Sequence, residues 1–296
     1  MQSSGIATAT VGDLELAYET FGDRGSTPLL LVSGLGSQMI SYPDELCEGL
    51  AAQGLFVIRF DNRDVGESTH LHSAGTPRLG DVRRGDRSSV HYELADMAAD
   101  TAGLIEVLGL DSVHLVGVSM GGMIAQRVAI TYPERVRSLT SIMSTTGDRS
   151  VGGASEAAQA VLYAPPATDR EGAIARQLQT SRVIGSPGFP FDEEAVRARA
   201  GLAYDRGHDP AGVARQMAAI VTSPDRTADL GRVAVPTLVI HGSDDALVNV
   251  SGGRATAAAV PGSELVVIDG MGHDLPRPLW PELTERITTH IKRAEG

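Results

Sequence analysis

The sequence predicts an α/β fold in which a mainly parallel sheet is flanked by helices and carries an inserted helical lobe. Short apolar runs alternate with amphipathic helical stretches over residues 1–146, and the same alternation resumes over residues 232–296. Parallel strands are joined by crossover helices, so this alternation is typical of a parallel sheet covered on both faces. Residues 147–231 contain no buried-strand pattern and are predicted to form the insertion.

The first segment contains five predicted strands and two long predicted helices. In the helix over residues 92–108, apolar residues recur at spacings of three, four and seven, a stripe suited to lie on a sheet. Gly109 follows as a helix C-cap, and the second helix, residues 121–132, ends before Pro133. The strands are expected at residues 14–21, 28–33, 55–60, 112–118 and 136–143.

The insertion and the last segment have different patterns. Residues 147–231 are rich in Ala and Arg and are broken by Pro165-Pro166 and by the Gly and Pro residues of 185–190. These features indicate short helices rather than strands. The last segment is expected to contain strands at 237–241 and 265–268 and helices near 250–259 and 281–293.

Composition excludes several functional classes. The net charge of -12 opposes nucleic-acid binding, because neutralising phosphates needs a basic surface. Cys47 is the only cysteine, so neither an intrachain disulfide nor a cysteine-based metal site is expected. No apolar run approaches the roughly 20 residues of a membrane span, and the N-terminus has no signal-peptide pattern. We therefore expect a soluble, cytoplasmic protein, whose oligomeric state the sequence does not indicate.

The sharpest local motif is Gly117-Val118-Ser119-Met120-Gly121, a match to G-x-S-x-G. A serine on a tight strand-to-helix turn presents its hydroxyl above the sheet, and the flanking glycines permit the crowded backbone. The apolar run before Ser119 and the helix-forming residues after it provide that setting. The positive end of the following helix would also favour a developing oxyanion. Ser119 is therefore the candidate nucleophile.

His273 is the candidate base for Ser119. Gly270-Met271-Gly272-His273 follows the last predicted strand, which places His273 at the carboxyl edge of the sheet, where Ser119 also lies. For the acid that orients this histidine, Asp244 and Asp245 both follow the strand at 237–241. We favour Asp245, because the loop there has more room to turn back. The order Ser, Asp, His is that of α/β-hydrolases.

An oxyanion hole requires two amide donors in addition to these side chains. The backbone N–H of Met120, directly after the nucleophile, is the first candidate. The glycine-rich turn Gly34-Leu35-Gly36, after an early strand, indicates the N–H of Leu35 as the second.

Along nearly its whole length the chain resembles the α/β-hydrolase superfamily, most closely bacterial esterases related to aclacinomycin methylesterase. The resemblance implies an eight-stranded sheet, a helical cap domain over the site, no cofactor, and Asp245 as the acid of a catalytic triad. One departure is that many relatives have His-Gly where this chain has Ser33-Gly34. The matching motifs are Ser33-Gly34-Leu35-Gly36, residues 61–69, 117–122, 132–136 and 242–245, and Gly272-His273.

Other polar residues are interpreted as structural. Asp61 and Arg63 are expected to hold their loop in place. His70 and His72 have the spacing of a metal-binding pair, but the sequence indicates no nearby carboxylate or third ligand, so no metal site is expected.

These observations predict a serine hydrolase that cleaves a carboxylic ester of a small or medium organic molecule through an acyl-enzyme intermediate. The same three residues also serve lactonases, amidases and C–C bond hydrolases, and acyl transfer to an alcohol is a further alternative. A protein that keeps the hydrolase fold only to bind a ligand is the alternative outside enzymes.

Overall fold

A computed structural model describes residues 3–296 of the chain. Its centre is a single sheet in which the strands are ordered β1-β2-β4-β3-β5-β6-β7-β8. Strands β3 to β8 are mutually parallel, whereas β2 runs antiparallel to both of its neighbours. The strands are β1 (Ala7–Val11), β2 (Leu14–Phe21), β3 (Thr27–Val32), β4 (Leu55–Phe60), β5 (Val113–Val118), β6 (Val136–Ile142), β7 (Thr237–Gly242) and β8 (Glu264–Ile268).

Helices cover both faces of the sheet, as the alternating pattern predicts. Helices α3 (Leu94–Val107) and α4 (Met120–Thr131) pack on one face. Helices α1 (Asp44–Ala51) and α11 (Trp280–Glu295) pack on the other. The remaining α-helices outside the insertion are the short α2 (Leu79–Arg83) and α10 (Ser251–Ala259).

The predicted strands and long helices are present, with ends displaced by one or two residues. The sequence analysis missed β1 and α1. In β1 half-buried and exposed residues alternate, and in so short an edge strand this pattern is weak. Helix α1 begins directly after Pro43 and covers only two turns.

Five helices lie between β6 and β7, within the predicted insertion; we call them the inserted helices. Four residues of α6 and α7, namely Ile174, Leu178, Val196 and Ala200, form a small hydrophobic cluster of their own. Helix α8, in contrast, contributes Ala219 to the main core. The inserted helices are α5 (Glu156–Leu162), α6 (Arg170–Ile184), α7 (Glu193–Arg206), α8 (Pro210–Thr222) and α9 (Thr227–Leu230).

Among residues 3–296, no helix is both long enough and apolar enough to cross a bilayer.

Candidate active site

Ser119 occupies a sharp turn between β5 and α4. Its backbone has φ 58° and ψ -119°, a conformation that non-glycine residues rarely adopt. Its amide donates to the carbonyl of Ile142 at 2.9 Å, and its carbonyl accepts from the Ser144 hydroxyl at 2.9 Å. The turn is therefore held by β6 on one side, which maintains the unusual conformation.

The glycines on either side of Ser119 are required by close backbone contacts. A Cβ added to Gly117 would lie 2.2 Å from the carbonyl oxygen of Gly121. A Cβ added to Gly121 would lie 2.0 Å from the carbonyl oxygen of Val32, at the end of β3. The turn thus packs directly against the neighbouring strand, and side chains at these positions would force it away.

The three candidate side chains predicted from the sequence lie together at the carboxyl edge of the sheet. The Nε2 atom of His273 is 2.9 Å from the Ser119 hydroxyl. The Nδ1 atom of His273 is 2.7 Å from Oδ2 of Asp245. The result is a continuous chain of hydrogen bonds from carboxylate to imidazole to hydroxyl, the geometry of a nucleophile, a base and an orienting acid.

The alternative acid, Asp244, is exposed and is not part of this chain. Its carboxylate accepts a hydrogen bond from the adjacent Ser243 hydroxyl. Asp245 is buried, and its Oδ1 atom accepts from the backbone amides of Leu247 and Val248 at 2.9 and 2.8 Å. These two bonds leave Oδ2 directed at His273.

The environment of Asp245 keeps its carboxyl group ionised. Burial raises the pKa, but hydrogen bonds from His241 and His273, together with the backbone amide of Val248, outweigh it. The net effect lowers the pKa from 3.8 to about 2. An ionised carboxylate at this position can orient the His273 ring and would stabilise a positive charge on it.

His241, which the sequence analysis treated only as the end of a strand, is a second neighbour of Asp245. It is fully buried, and its Nε2 atom lies 2.7 Å from the Val248 carbonyl and 3.4 Å from Oδ2 of Asp245. Its Nδ1 atom has no hydrogen-bond partner among residues 3–296. The sequence did carry a signal for this contact, because His241 ends a buried strand and lies four residues before Asp245.

The turn after β3 lies beside the nucleophile. A Cβ added to Gly34 would be 3.3 Å from Cβ of Ser119. The Leu35 amide donates no hydrogen bond within the part of the chain that the structure describes. Met120 is the first residue of α4, where an N–H group has no partner inside the helix. Both amides that the sequence predicts as oxyanion donors are thus available to a ligand.

The turn that carries Leu35 is held by contacts that the sequence analysis did not predict. The Gly36 amide donates to Oε1 of Gln216 at 2.8 Å, and Nε2 of Gln216 donates to the Arg63 carbonyl at 2.8 Å. Gln216 belongs to α8, so an inserted helix fixes the turn beside Ser119. On the other side, the Ser33 hydroxyl lies 3.2 Å from that of Ser41 and 3.3 Å from the Gln38 carbonyl.

A second contact between the inserted helices and the core holds the loop of His273. The His273 amide donates to the Ile184 carbonyl at 2.6 Å, and the Gly188 amide donates to the Gly270 carbonyl at 2.9 Å. The Ser186 hydroxyl donates to Asp274 and accepts from the Gly272 amide. The segment after α6 therefore lies directly on the loop that positions the base.

Asp61 and Arg63 have the structural role predicted for them. Asp61 accepts from the Met39 amide at 2.6 Å and from Arg206 of α7 at 2.9 Å. Arg63 forms an ion pair with Asp100 of α3.

The expectation that no carboxylate accompanies His70 and His72 is wrong, because folding brings Asp209, at the start of α8, to within 2.8 Å of His70.

A cavity of about 1050 Å³ opens beside the His273 loop. Its wall includes Asp274 and Arg199 but neither Ser119 nor His273, so it adjoins the candidate site without containing it. Apolar and charged groups are mixed in its wall, which also includes Ile40, Phe189, Phe191, Leu202, Leu275 and Trp280.

Comparison with known proteins identifies the family. The family model for the alpha/beta hydrolase fold matches residues 27–276, so the chain belongs to this family.

The relatives within the family include methylesterases. The chain is 30% identical to rhodomycin D methylesterase DauP of Streptomyces sp. (strain C5), over 96% of this chain and 97% of that protein. It is 24% identical to 3-oxoadipate enol-lactonase 2 of Acinetobacter baylyi, over 88% of each. A solved esterase from Thermogutta terrifontis is 27% identical, with a TM-score of 0.69 over 100% of both chains. The fold and these relatives support hydrolysis as the class of reaction.

Proposed function

We propose that the chain is a serine hydrolase that cleaves a carboxylic ester through an acyl-enzyme intermediate. The observation that carries the proposal is the continuous hydrogen-bonded chain from Asp245 through His273 to Ser119. The relation to a methylesterase adds weight to an ester as the bond that is cleaved.

In the proposed reaction, Ser119 Oγ attacks the ester carbonyl as His273 Nε2 takes the hydroxyl proton. The amides of Leu35 and Met120 donate to the oxyanion of the tetrahedral intermediate. His273 then gives its proton to the departing alcohol, which leaves an acyl group on Ser119. Water attacks the acyl-enzyme with His273 again as the base, and the carboxylic acid is released.

The substrate is proposed to be a small or medium organic ester that binds between the inserted helices and the sheet. Helix α8 and the segment after α6 both contact the loops that carry the reacting groups. A substrate above Ser119 would therefore touch the inserted helices, which makes them the part of the chain that selects it.

The test compares wild type with Ser119→Ala on short and medium acyl p-nitrophenyl esters. We expect turnover in wild type and a loss of about 10⁶-fold in kcat in the variant, the size seen when such a nucleophile is removed. A fluorophosphonate should label wild type once, at Ser119, and leave the variant unlabelled. Matched thermal unfolding of the two proteins is the control for folding. Equal ester turnover in the two proteins would refute the proposal.

A lactone is the second candidate substrate, because an enol-lactonase is among the relatives. Attack and proton transfer would be the same, but the leaving alcohol would stay attached to the acyl group. Wild type that is labelled by the fluorophosphonate, ignores linear esters and opens lactones would favour this alternative.

A further inference from the structure

His70, His72 and Asp209 meet where the loop after β4 contacts the start of α8. Oδ2 of Asp209 lies 2.8 Å from Nδ1 of His70 and 3.7 Å from Nδ1 of His72. One potential ligand atom from each of the three side chains lies within 4.8 Å of the others. The two imidazole rings are nearly parallel, with centroids 5.3 Å apart. The cluster has no part in the mechanism proposed above.

His70 lies between two oxygen acceptors. Its Nε2 atom is 3.0 Å from the Gly66 carbonyl oxygen, and its Nδ1 atom is 2.8 Å from Oδ2 of Asp209. A neutral imidazole has one N–H group, so it can donate to only one of these oxygens. When Nε2 donates to Gly66, Nδ1 presents a lone pair, and a cation between Nδ1 and the carboxylate would satisfy both groups. Histidine ligands of metals are commonly oriented in this way, by a backbone carbonyl on the other ring nitrogen.

The charges around the cluster favour binding of a further cation. Arg215 forms an ion pair with Asp64, to which it donates through both Nε and Nη2. The same guanidinium lies 3.2 Å from Oδ2 of Asp209, so one cation is shared between the buried carboxylate of Asp64 and the partly buried carboxylate of Asp209. The pair of acids therefore keeps an excess negative charge beside the two imidazoles.

We propose that His70 Nδ1, His72 Nδ1 and Asp209 Oδ2 bind a divalent transition-metal ion, with Zn²⁺ as the best match. Two imidazoles and a carboxylate are a ligand set that suits Zn²⁺, and water would complete a tetrahedral site. Bonds of about 2.0–2.2 Å place tetrahedral ligands roughly 3.4 Å apart. The 3.7 Å separation between His72 and Asp209 needs a small adjustment, which the exposed side chain of His72 is free to make. The 2.8 Å separation between His70 and Asp209 would have to widen by about 0.6 Å to admit the ion.

The bound ion would fasten the inserted helices to the sheet. His70 and His72 belong to a loop of the core, whereas Asp209 directly precedes α8, the helix that holds the turn of Leu35 through Gln216. The site is thus a structural cross-link rather than part of the reaction. Binding to the folded state alone stabilises it by RT ln(1 + [Zn²⁺]/Kd), so the Tm should rise with the Zn²⁺ concentration.

The test is calorimetric titration of Zn²⁺ into untagged, chelator-treated protein, with thermal unfolding in parallel. We expect one saturable site in wild type and a rise in Tm with Zn²⁺. His72→Ala, at a side chain with 74% exposure, should fold normally and bind Zn²⁺ at least about tenfold more weakly. His91→Ala is the matched control, because His91 is an exposed histidine outside the cluster and should leave binding unchanged.

Absence of a saturable site in wild type would overturn the proposal, as would equal Zn²⁺ affinity in wild type and His72→Ala. In either case the His70–Asp209 contact would be a hydrogen bond between imidazole and carboxylate without a metal ion. These outcomes are independent of ester turnover, so they do not bear on the proposed function.

Discussion

The adjacent carboxyl groups of Asp244 and Asp245 differ in what surrounds them. Two backbone amides hold one oxygen of Asp245 and direct the other at His273, whereas Asp244 faces solvent. The sequence indicates an acid after β7 but leaves both residues as candidates. The choice depends on how the loop turns, which is a property of the folded chain.

Asp245→Asn is therefore expected to lower kcat by about 10⁴-fold, because the amide that replaces the carboxylate cannot orient His273 or stabilise its protonated ring in the same way. Steady-state kinetics on a p-nitrophenyl ester would measure the loss. Asp244→Asn, one residue away and exposed, is the matched control and should keep nearly full activity. A large loss in the control with a small one in Asp245→Asn would reverse the assignment.

The acid limb of the pH profile should report a single proton. Because the pKa of Asp245 is lowered to about 2, its carboxylate stays ionised as the pH falls from 8 to about 4. Its contribution to stability is present above the ordinary value of 3.8 and is lost only as the pH falls toward 2. The carboxyl group of Asp245 therefore releases and binds no proton in the mildly acidic range, and we expect the acid limb of kcat/KM to have a limiting slope of about one. A slope of two would mean that the carboxyl group also titrates.

Among the elements, α8 contacts the turn beside Ser119 as well as the loop after β4. Arg215 and Gln216 are consecutive buried residues of this helix, and they contact different loops of the core. Arg215 pairs with Asp64, and Gln216 holds the turn of Leu35. One helix therefore couples the position of the inserted helices to the geometry of the candidate oxyanion hole.

Gln216→Met is expected to lower kcat by about tenfold with little change in KM. The substitution keeps the side-chain volume but removes the bond to the Gly36 amide, so the turn of Leu35 is held less firmly. Complete loss of an oxyanion donor costs about 10²–10³ in kcat, and partial misplacement should cost less. Gln177→Met on the exposed face of α6 is the control. An increase in KM at unchanged kcat would instead indicate that Gln216 acts only in substrate binding.

Arg215→Met should destabilise the protein by about 3–5 kcal/mol, because it leaves the buried Asp64 carboxylate without its cation. Urea unfolding would measure the free energy. Arg197→Met removes an exposed pair with Glu193 on α7 and should cost no more than about 0.5 kcal/mol. Equal costs for the two variants would show that Asp64 is stabilised by its other partners, Tyr92 and the Leu71 amide.

At the scale of the whole molecule, the sequence predicts seven of the eight strands, the long helices and the three side chains that meet at the candidate site. Apolar periodicity and glycine positions are local signals, and parallel strands bring their carboxyl ends to one edge. The contacts between the inserted helices and the core could not be predicted in this way. Gln216 is separated from Gly36 by 180 residues, and Asp209 from His70 by 139. No periodicity in either segment reports such a pairing.

The separate hydrophobic cluster of α6 and α7 has a consequence for how the molecule moves. The apolar residues shared by α6 and α7 pack with one another and not with the main core; they are Ile174, Leu178, Val196 and Ala200. We therefore expect the two helices to unfold locally as one cooperative unit. Amide hydrogens of α6 and α7 should exchange with deuterium together, well before those of β5 and α8. Transient opening of this pair would uncover the loop of His273, and it would also break the bonds of Ala203 and Arg206 to the Gln38 side chain, after the turn of Leu35. Local opening of these two helices is therefore expected to expose the candidate site and to loosen the segment that follows the turn of Leu35.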